Sequence, residues 1–203
     1  MAPPQSPTTS ILTQLSKDDV HFEVRQYEPQ DRDQVLKLVA DNLLQYEPEG
    51  HPRHEFWVQY VSDGLSDVED VPGHYLNAGS NFFVVTAATV ATAATGSDGE
   101  EKAATPVVVA TTAVERKSDS VAEVRRMSVK AKFRRFGVGR MLMHHVHEWA
   151  RHHEQKYEKL IVFTAVENPP AIKFYQSLGY KYLNNAYWTK NPSIEMSHFE
   201  KCL

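Results

Sequence analysis

The sequence has a single cysteine, Cys202, next to its last residue, so no intramolecular disulfide can form and a cysteine-based zinc site is excluded. A reducing compartment is therefore expected, the cytoplasm, with the nucleus left open. Long hydrophobic runs are also missing. Stretches such as Phe82-Phe83-Val84-Val85 and Leu160-Ile161-Val162-Phe163 are strand-sized, far below the roughly 20 apolar residues that span a bilayer, so no membrane partner is expected. The first ten residues, MAPPQSPTTS, contain no basic residue and no apolar core, which excludes a secretory signal. Residues 1–19 read as a disordered leader before a single domain over 20–203. No charge excess exists either: 22 Lys and Arg against 26 Asp and Glu leave −4. Wrapping of nucleic acid, which rests on neutralising phosphates, is not expected. With 41% hydrophobic and 24% charged residues, chain-wide disorder is ruled out.

Period-two alternation over His21–Tyr27 predicts a half-buried strand with Phe22, Val24 and Gln26 on one face. Val35, Leu36, Leu38, Val39, Leu43 and Leu44 then recur at helical spacing, and a shorter helix is expected from Glu55 to Leu65, broken by Ser66–Gly73. Phe82–Val90 and Pro106–Val114 read as a hairpin with an enlarged loop at 95–105, followed by a strand over Val121–Val129. A long amphipathic helix opens at Gly137-Val138-Gly139 and runs to about His153. Lys159–Val166 is a strand. Asn168-Pro169-Pro170 is a helix start, with Asn as N-cap and Pro in the first turn, and Gly179 is its stop. Short strands over Tyr180–Leu183 and Ile194–Cys202 complete an α/β fold, a mixed sheet with helices on both faces.

The segment richest in chemistry is Arg134-Arg135-Phe136-Gly137-Val138-Gly139-Arg140, between a strand and a helix. Glycines let the backbone approach a ligand, and the first free amides of the helix with its dipole favour an anion such as a pyrophosphate. Tight packing alone is the competing explanation of a Gly-x-Gly turn. A P-loop is excluded by the missing Gly-Lys-Ser/Thr, and a dinucleotide fingerprint is weakened by Leu142 where a third small residue belongs.

This turn, read as Arg134-x-x-Gly137-x-Gly139, resembles the Arg/Gln-x-x-Gly-x-Gly/Ala motif of the GNAT superfamily of acetyl-CoA-dependent N-acetyltransferases. Asn168-x-x-Ala171-x-x-x-Tyr175-x-x-x-Gly179-Tyr180 resembles that family's Asn-x-x-Ala-x-x-x-Tyr-x-x-x-Gly-Phe segment, with Tyr180 replacing Phe. The likeness is strong from Val121 to Tyr180 and topological before it. It implies a largely antiparallel mixed sheet whose central strand pair splays apart. Backbone groups of Met127, Ser128 and Val129 would then bond the pantetheine of acetyl-CoA, the co-substrate. Amides from Arg135 through Phe136, Gly137, Val138 and Gly139 to Arg140 would receive the pyrophosphate, with Asn168 and Tyr175 near the acyl end. Tyr175 resembles the family's general acid, and Glu123 stands where some members carry a base. The competing reading of Glu123 is a strand carboxylate paired with Arg125 or a cross-strand cation.

The implied activity is transfer of acetyl to a primary amine, small or on a peptide, by direct attack in a ternary complex. The alternatives are a noncatalytic acyl-CoA-binding protein and a transferase of a longer acyl group. The acceptor and the oligomeric state stay open. No metal is expected: His144, His145, His147, His152 and His153 read as solvated or packed. Phe56, Trp57 and Tyr60 are expected in the core, whereas Tyr187 and Trp188 fall where the family's acceptor pocket can be bordered. Charge is segregated, with eight acidic residues against Arg53 alone over Asp41–Ser80 and twelve basic against six acidic over Glu115–Leu160. That distribution predicts a basic CoA side and an acidic side that draws a cationic amine.

Overall fold

Residues 14–17, 20–45, 49–51, 53–77, 79–89, 106–154, 156–190 and 192–203 are described by a computed structural model. Alternation makes the sheet two-sided. In strand β3 (Asn81–Thr89), Phe83, Val85 and Ala87 enter one core cluster, while Phe82 and Val84 enter another on the opposite face. The first cluster is closed by α5 (Val138–His152) and α6 (Pro169–Ser177), through Val138, Leu142, Val146 and Tyr175. The second is closed by α1 (Arg32–Leu44), α3 (Ser66–Glu69) and α4 (Val71–His74), through Val35, Leu38, Val39, Val68 and Val71.

The sheet has the order β1-β2-β3-β4-β5-β6-β8-β7, where β1 is Gln14–Lys17, β2 Val20–Gln26, β4 Val107–Arg116, β5 Val121–Val129, β6 Lys159–Ala165, β7 Lys181–Lys190 and β8 Ser193–Cys202. All neighbours are antiparallel except β5 and β6, which run parallel. Their pairing covers only Val121↔Lys159 to Val124↔Val162. Beyond Val124, β5 continues beside β4 to Val129, and β6 continues beside β8 to Ala165. The sheet therefore splits in its middle. The split begins beside a bulge: Thr111 faces Ser128 and Ala113 faces Arg125, so Arg126 and Met127 share one partner position. Arg126 takes φ 52° there, and such a bulge bends its strand and redirects side chains.

The mixed α/β architecture is as read from the sequence, with four differences. Gln14–Lys17, placed in the leader, is strand β1, paired with β2 from Gln14↔Glu23 to Lys17↔Val20; residues 1–13 and 18–19 lie outside the described ones, as does the 95–105 loop. The expected break at Ser66–Gly73 contains the one-turn helices α3 and α4, the latter capped by the Asp70 carboxylate accepting from the Gly73 amide at 2.9 Å. The strand expected over Tyr180–Leu183 extends to Lys190, because it pairs with β8 from Lys181↔Glu200 to Lys190↔Ser193. Finally, α2 (His54–Ser62) has no fully buried residue. Its rings, expected in the core, are half-buried: Tyr60 packs against the edge of the second cluster, and Trp57 and Tyr60 line a cavity.

Candidate active site

The split between β5 and β6 opens into a cavity of about 1370 Å3. Glu123, Met127, Ser128 and Val129 reach its wall from β5; Arg134, Arg135, Gly137, Gly139 and Arg140 from the glycine turn; Asn168 and Tyr175 from α6. Eleven of the residues singled out in the sequence thus share one cavity. Phe136 and Val138 do not line it. Phe136 packs edge-on against Phe22 and Phe133, and Val138 is buried, so only their backbones belong to the turn.

The turn is built by two glycines with different tasks. Gly137 is the N-cap of α5 at φ 86°, in the left-handed region. At Gly139 a Cβ would lie 3.3 Å from Met127 Cε and 3.5 Å from Phe174 Cζ, so a side chain there would press the wall of the split. The first α5 bond runs from the Met141 amide to the Gly137 carbonyl at 2.9 Å, which leaves the amides of the first helical turn ahead of the ladder and aimed at the N-terminal end. Positive charge crowds the same place: burial and the neighbouring Lys132 both hold the Lys130 ammonium below its ordinary value.

Arg134 does not project freely. Its Nε donates to the Val129 carbonyl at 3.1 Å, and its Nη2 donates to Asn42 Oδ1 at 3.0 Å and Gln45 Oε1 at 2.6 Å, tying the turn to the end of α1. Asn42 Nδ2 in turn donates to Ser128 Oγ at 3.0 Å. Asn42 was missed in the sequence although a signal existed: it is the polar residue on the apolar stripe of Val35, Leu38, Val39 and Leu43. Arg140 Nη2 donates to Ser177 Oγ at 3.1 Å, joining α5 to α6. Asn168 caps α6, its Oδ1 accepting from the Ala171 amide at 3.2 Å.

Two carboxylates line the cavity, and both are ion-paired. Glu123 Oε2 lies 3.0 Å from Lys117 Nζ, and its Oε1 lies 3.8 Å from Arg125 Nε. Glu167 Oε2 lies 2.7 Å from Arg53 Nη1. The paired-carboxylate reading of Glu123 is thus the observed geometry, with Lys117 as the nearer cation. Beneath them, Arg126 makes a two-pronged bond to Asp67, Nε to Oδ2 at 2.8 Å and Nη2 to Oδ1 at 2.6 Å, and its Nη2 also donates to Tyr60 Oη at 3.1 Å. Tyr75 Oη donates to Asp67 as well. Burial alone would raise the Asp67 carboxyl, but Arg126 outweighs it and holds the group below its ordinary value. Arg126 could have been suspected from Val124-Arg125-Arg126-Met127, where two consecutive charged residues interrupt strand alternation.

Val39, Asn42 and Leu43 of α1, Trp57 and Tyr60 of α2, and Tyr187 and Trp188 of β7 also line the wall. Trp57 and Trp188 stack at 5.7 Å between centroids and 23° between planes, and Tyr60 meets Trp188 edge-on at 5.4 Å. Among the described acidic residues of 41–80, none lines the cavity. The described part of the acidic flank expected from the sequence thus lies off the cavity wall, and Glu47 of that flank lies outside the described residues.

The description "Acetyltransferase (GNAT) family" is that of the family model matching residues 36–180, the span that includes the split, the turn and the α6 segment. The chain belongs to the GNAT acetyltransferase family. The folds agree over nearly its whole length. A GNAT-family acetyltransferase from Staphylococcus aureus Mu50 aligns with TM-score 0.64 at 14% identity, over 90% of this chain and 99% of that one. An acetyltransferase from Streptococcus agalactiae gives 0.61 at 18%, over 90% and 98%. A chimera of the Vibrio cholerae spermidine N-acetyltransferase SpeG and hSSAT gives 0.58 at 13%, over 89% and 94%. A search of curated protein sequences finds no match. At such identities the structural likeness concerns the fold. Among the described residues of this GNAT chain no helix is long and apolar enough to cross a membrane, and no three His, Cys, Asp or Glu side chains gather as a metal would need.

Proposed function

We propose that this GNAT protein moves acetyl from acetyl-CoA to a primary amine by direct attack within a ternary complex. The observation that carries this is the split itself: strands β5 and β6 part at Val124/Val162, and the gap leads into one cavity shared by the glycine turn, Asn168 and Tyr175. The pantetheine arm would lie in the gap along Met127–Val129, and the pyrophosphate would lie on the turn amides, with Arg135 and Arg140 nearby. Arg134 would serve by holding the turn against α1.

Transfer requires a neutral amine, because a protonated nitrogen has no lone pair, and a stabilised thiolate leaving group. The amine nitrogen bonds to the thioester carbonyl carbon, the carbon–sulfur bond breaks, the ammonium proton leaves to a base, and the thiolate takes a proton from an acid. Tyr175, 5% exposed in the cavity wall, is assigned as that acid. Glu123 is assigned as the base, acting through water, since its oxygens are engaged by Lys117 and Arg125. Cys202 pairs with Lys159, at the end of β6 opposite the split, which disfavours an acyl-cysteine route. Initial rates measured against acetyl-CoA at several fixed amine concentrations are expected to give intersecting reciprocal plots. Parallel plots, the mark of a covalent acyl-enzyme, would overturn the ternary complex.

A further inference from the structure

The acceptor end of the cavity differs from what the charge distribution foretold, and the difference has chemical content. Its surface is made by Trp57, Tyr60, Phe163, Tyr187, Trp188 and Met196, contributed by α2, β6, β7 and β8. Three of these stay open to solvent to an unusual degree for rings in a cavity: Phe163 at 37%, Trp188 at 48% and Tyr187 at 60%. A concave wall of exposed rings favours an apolar or planar ligand over a fully hydrated one. The wall is also braced. Trp188 is clasped by Trp57, Tyr60 and Phe56, the last at 6.0 Å, and Tyr60 is fixed through Arg126 to Asp67. Contact between α2 and β7 rings therefore presents aromatic faces with little freedom to lose on binding.

An acceptor with several ammonium groups would need carboxylates at its far end. Among the described residues the two in the cavity wall, Glu123 and Glu167, already have cationic partners in Lys117 and Arg53, and the other Lys, Arg, Asp and Glu side chains described there are arginines. From this we infer that the acceptor is an arylalkylamine, a primary amine on a short chain bearing an aromatic ring. The ring would rest on Trp188, Trp57 and Phe163, and the amine would point toward the β5–β6 split. This rests on the reading of the split as the acetyl-CoA site.

The test uses 2-phenylethylamine, ethylamine and spermidine as probes with the full chain and acetyl-CoA. The expected kcat/KM for 2-phenylethylamine exceeds that for ethylamine by roughly tenfold or more, as burial of a phenyl ring requires, and also exceeds that for spermidine. Trp188→Ala is expected to cut the 2-phenylethylamine over ethylamine ratio about tenfold. A separate binding arm follows quenching of the intrinsic tryptophan emission by 2-phenylethylamine with CoA bound, and the quenching is expected to saturate. Equal kcat/KM for all three amines, or preference for spermidine, overturns the arylalkylamine inference while leaving acetyl transfer standing. Saturable quenching without turnover of any amine supports the aromatic pocket and overturns the transferase reading. Absence of both overturns both.

Discussion

Tyr175 and His147 represent two kinds of buried polar residue in this molecule. Tyr175 meets Tyr180 edge-on at 5.6 Å between centroids, and the Tyr180 hydroxyl, where the family motif has Phe, is 3.2 Å from His147 Nε2. Replacing Tyr175 by Phe keeps the ring packing and removes the assigned proton. Steady-state turnover is expected to fall about tenfold or more, the low end of what a positioned acid contributes, with the melting temperature nearly unchanged. Undiminished turnover would remove Tyr175 from that role. His147 is pushed down to about 3 by burial, and further by Lys201 and Arg151, so it is neutral in the fold. The unfolded chain, with an ordinary imidazole near 6.5, binds an extra proton below that pH. The stability from this site is therefore complete above about pH 6.5 and declines as pH falls toward 3, with a slope of about 1.4 kcal/mol per pH unit well inside that window. Urea midpoints measured from neutral to mildly acidic pH should fall less steeply in His147→Gln than in the parent; equal slopes would contradict a neutral His147.

At the scale of elements, the glycine turn and the bulge organise the site. Gly137→Ala places a Cβ at φ 86°, costing about 1 kcal/mol or more, and is expected to weaken acetyl-CoA binding by calorimetry more than it lowers the melting temperature. An unchanged Kd would detach the turn from the cofactor. Asp67→Asn removes the negative partner of a two-pronged, buried Arg126. Stranding that charge is expected to cost about 3–5 kcal/mol in chemical denaturation, and a loss under 1 kcal/mol would mean that the bulge is held by other contacts. The turn, α6 and their neighbours were legible in the sequence because their signals are local: a glycine at a positive φ, an Asn-Pro start, an amphipathic stripe. The strand β1 and most of β7 were not. Gln14–Lys17 is a strand because β2 offers it an edge. Lys181–Lys190 buries no side chain and extends because β8 lies beside it. Both pair with the next strand in the chain through backbone bonds, and where side chains stay largely exposed there is no burial periodicity to read. Tyr187 and Trp188 were expected at the pocket, but their joining with Trp57 was not, because residues 57 and 188 meet only through the fold.

Across the whole molecule, the modest total of −4 covers a segregated charge distribution whose basic side reaches the cavity. The basic residues of the turn line it, whereas the described acidic ones of 41–80 do not. Asp67, for instance, is buried against Arg126. Raising ionic strength is accordingly expected to increase the KM for acetyl-CoA, an anion steered to exposed arginines, and to change the KM for an aromatic amine little. An acceptor KM that is as salt-sensitive as the acetyl-CoA KM would restore an electrostatic attraction for the amine. The most direct measurement joins thiol release to product mass: the protein is incubated with acetyl-CoA and an amine, free CoA is titrated, and the amide is quantified by mass spectrometry. CoA and acetylated amine in equal amounts are expected. Saturable acetyl-CoA binding with no thiol released in the presence of any amine would contradict acetyl transfer and leave the split sheet as a binding site alone.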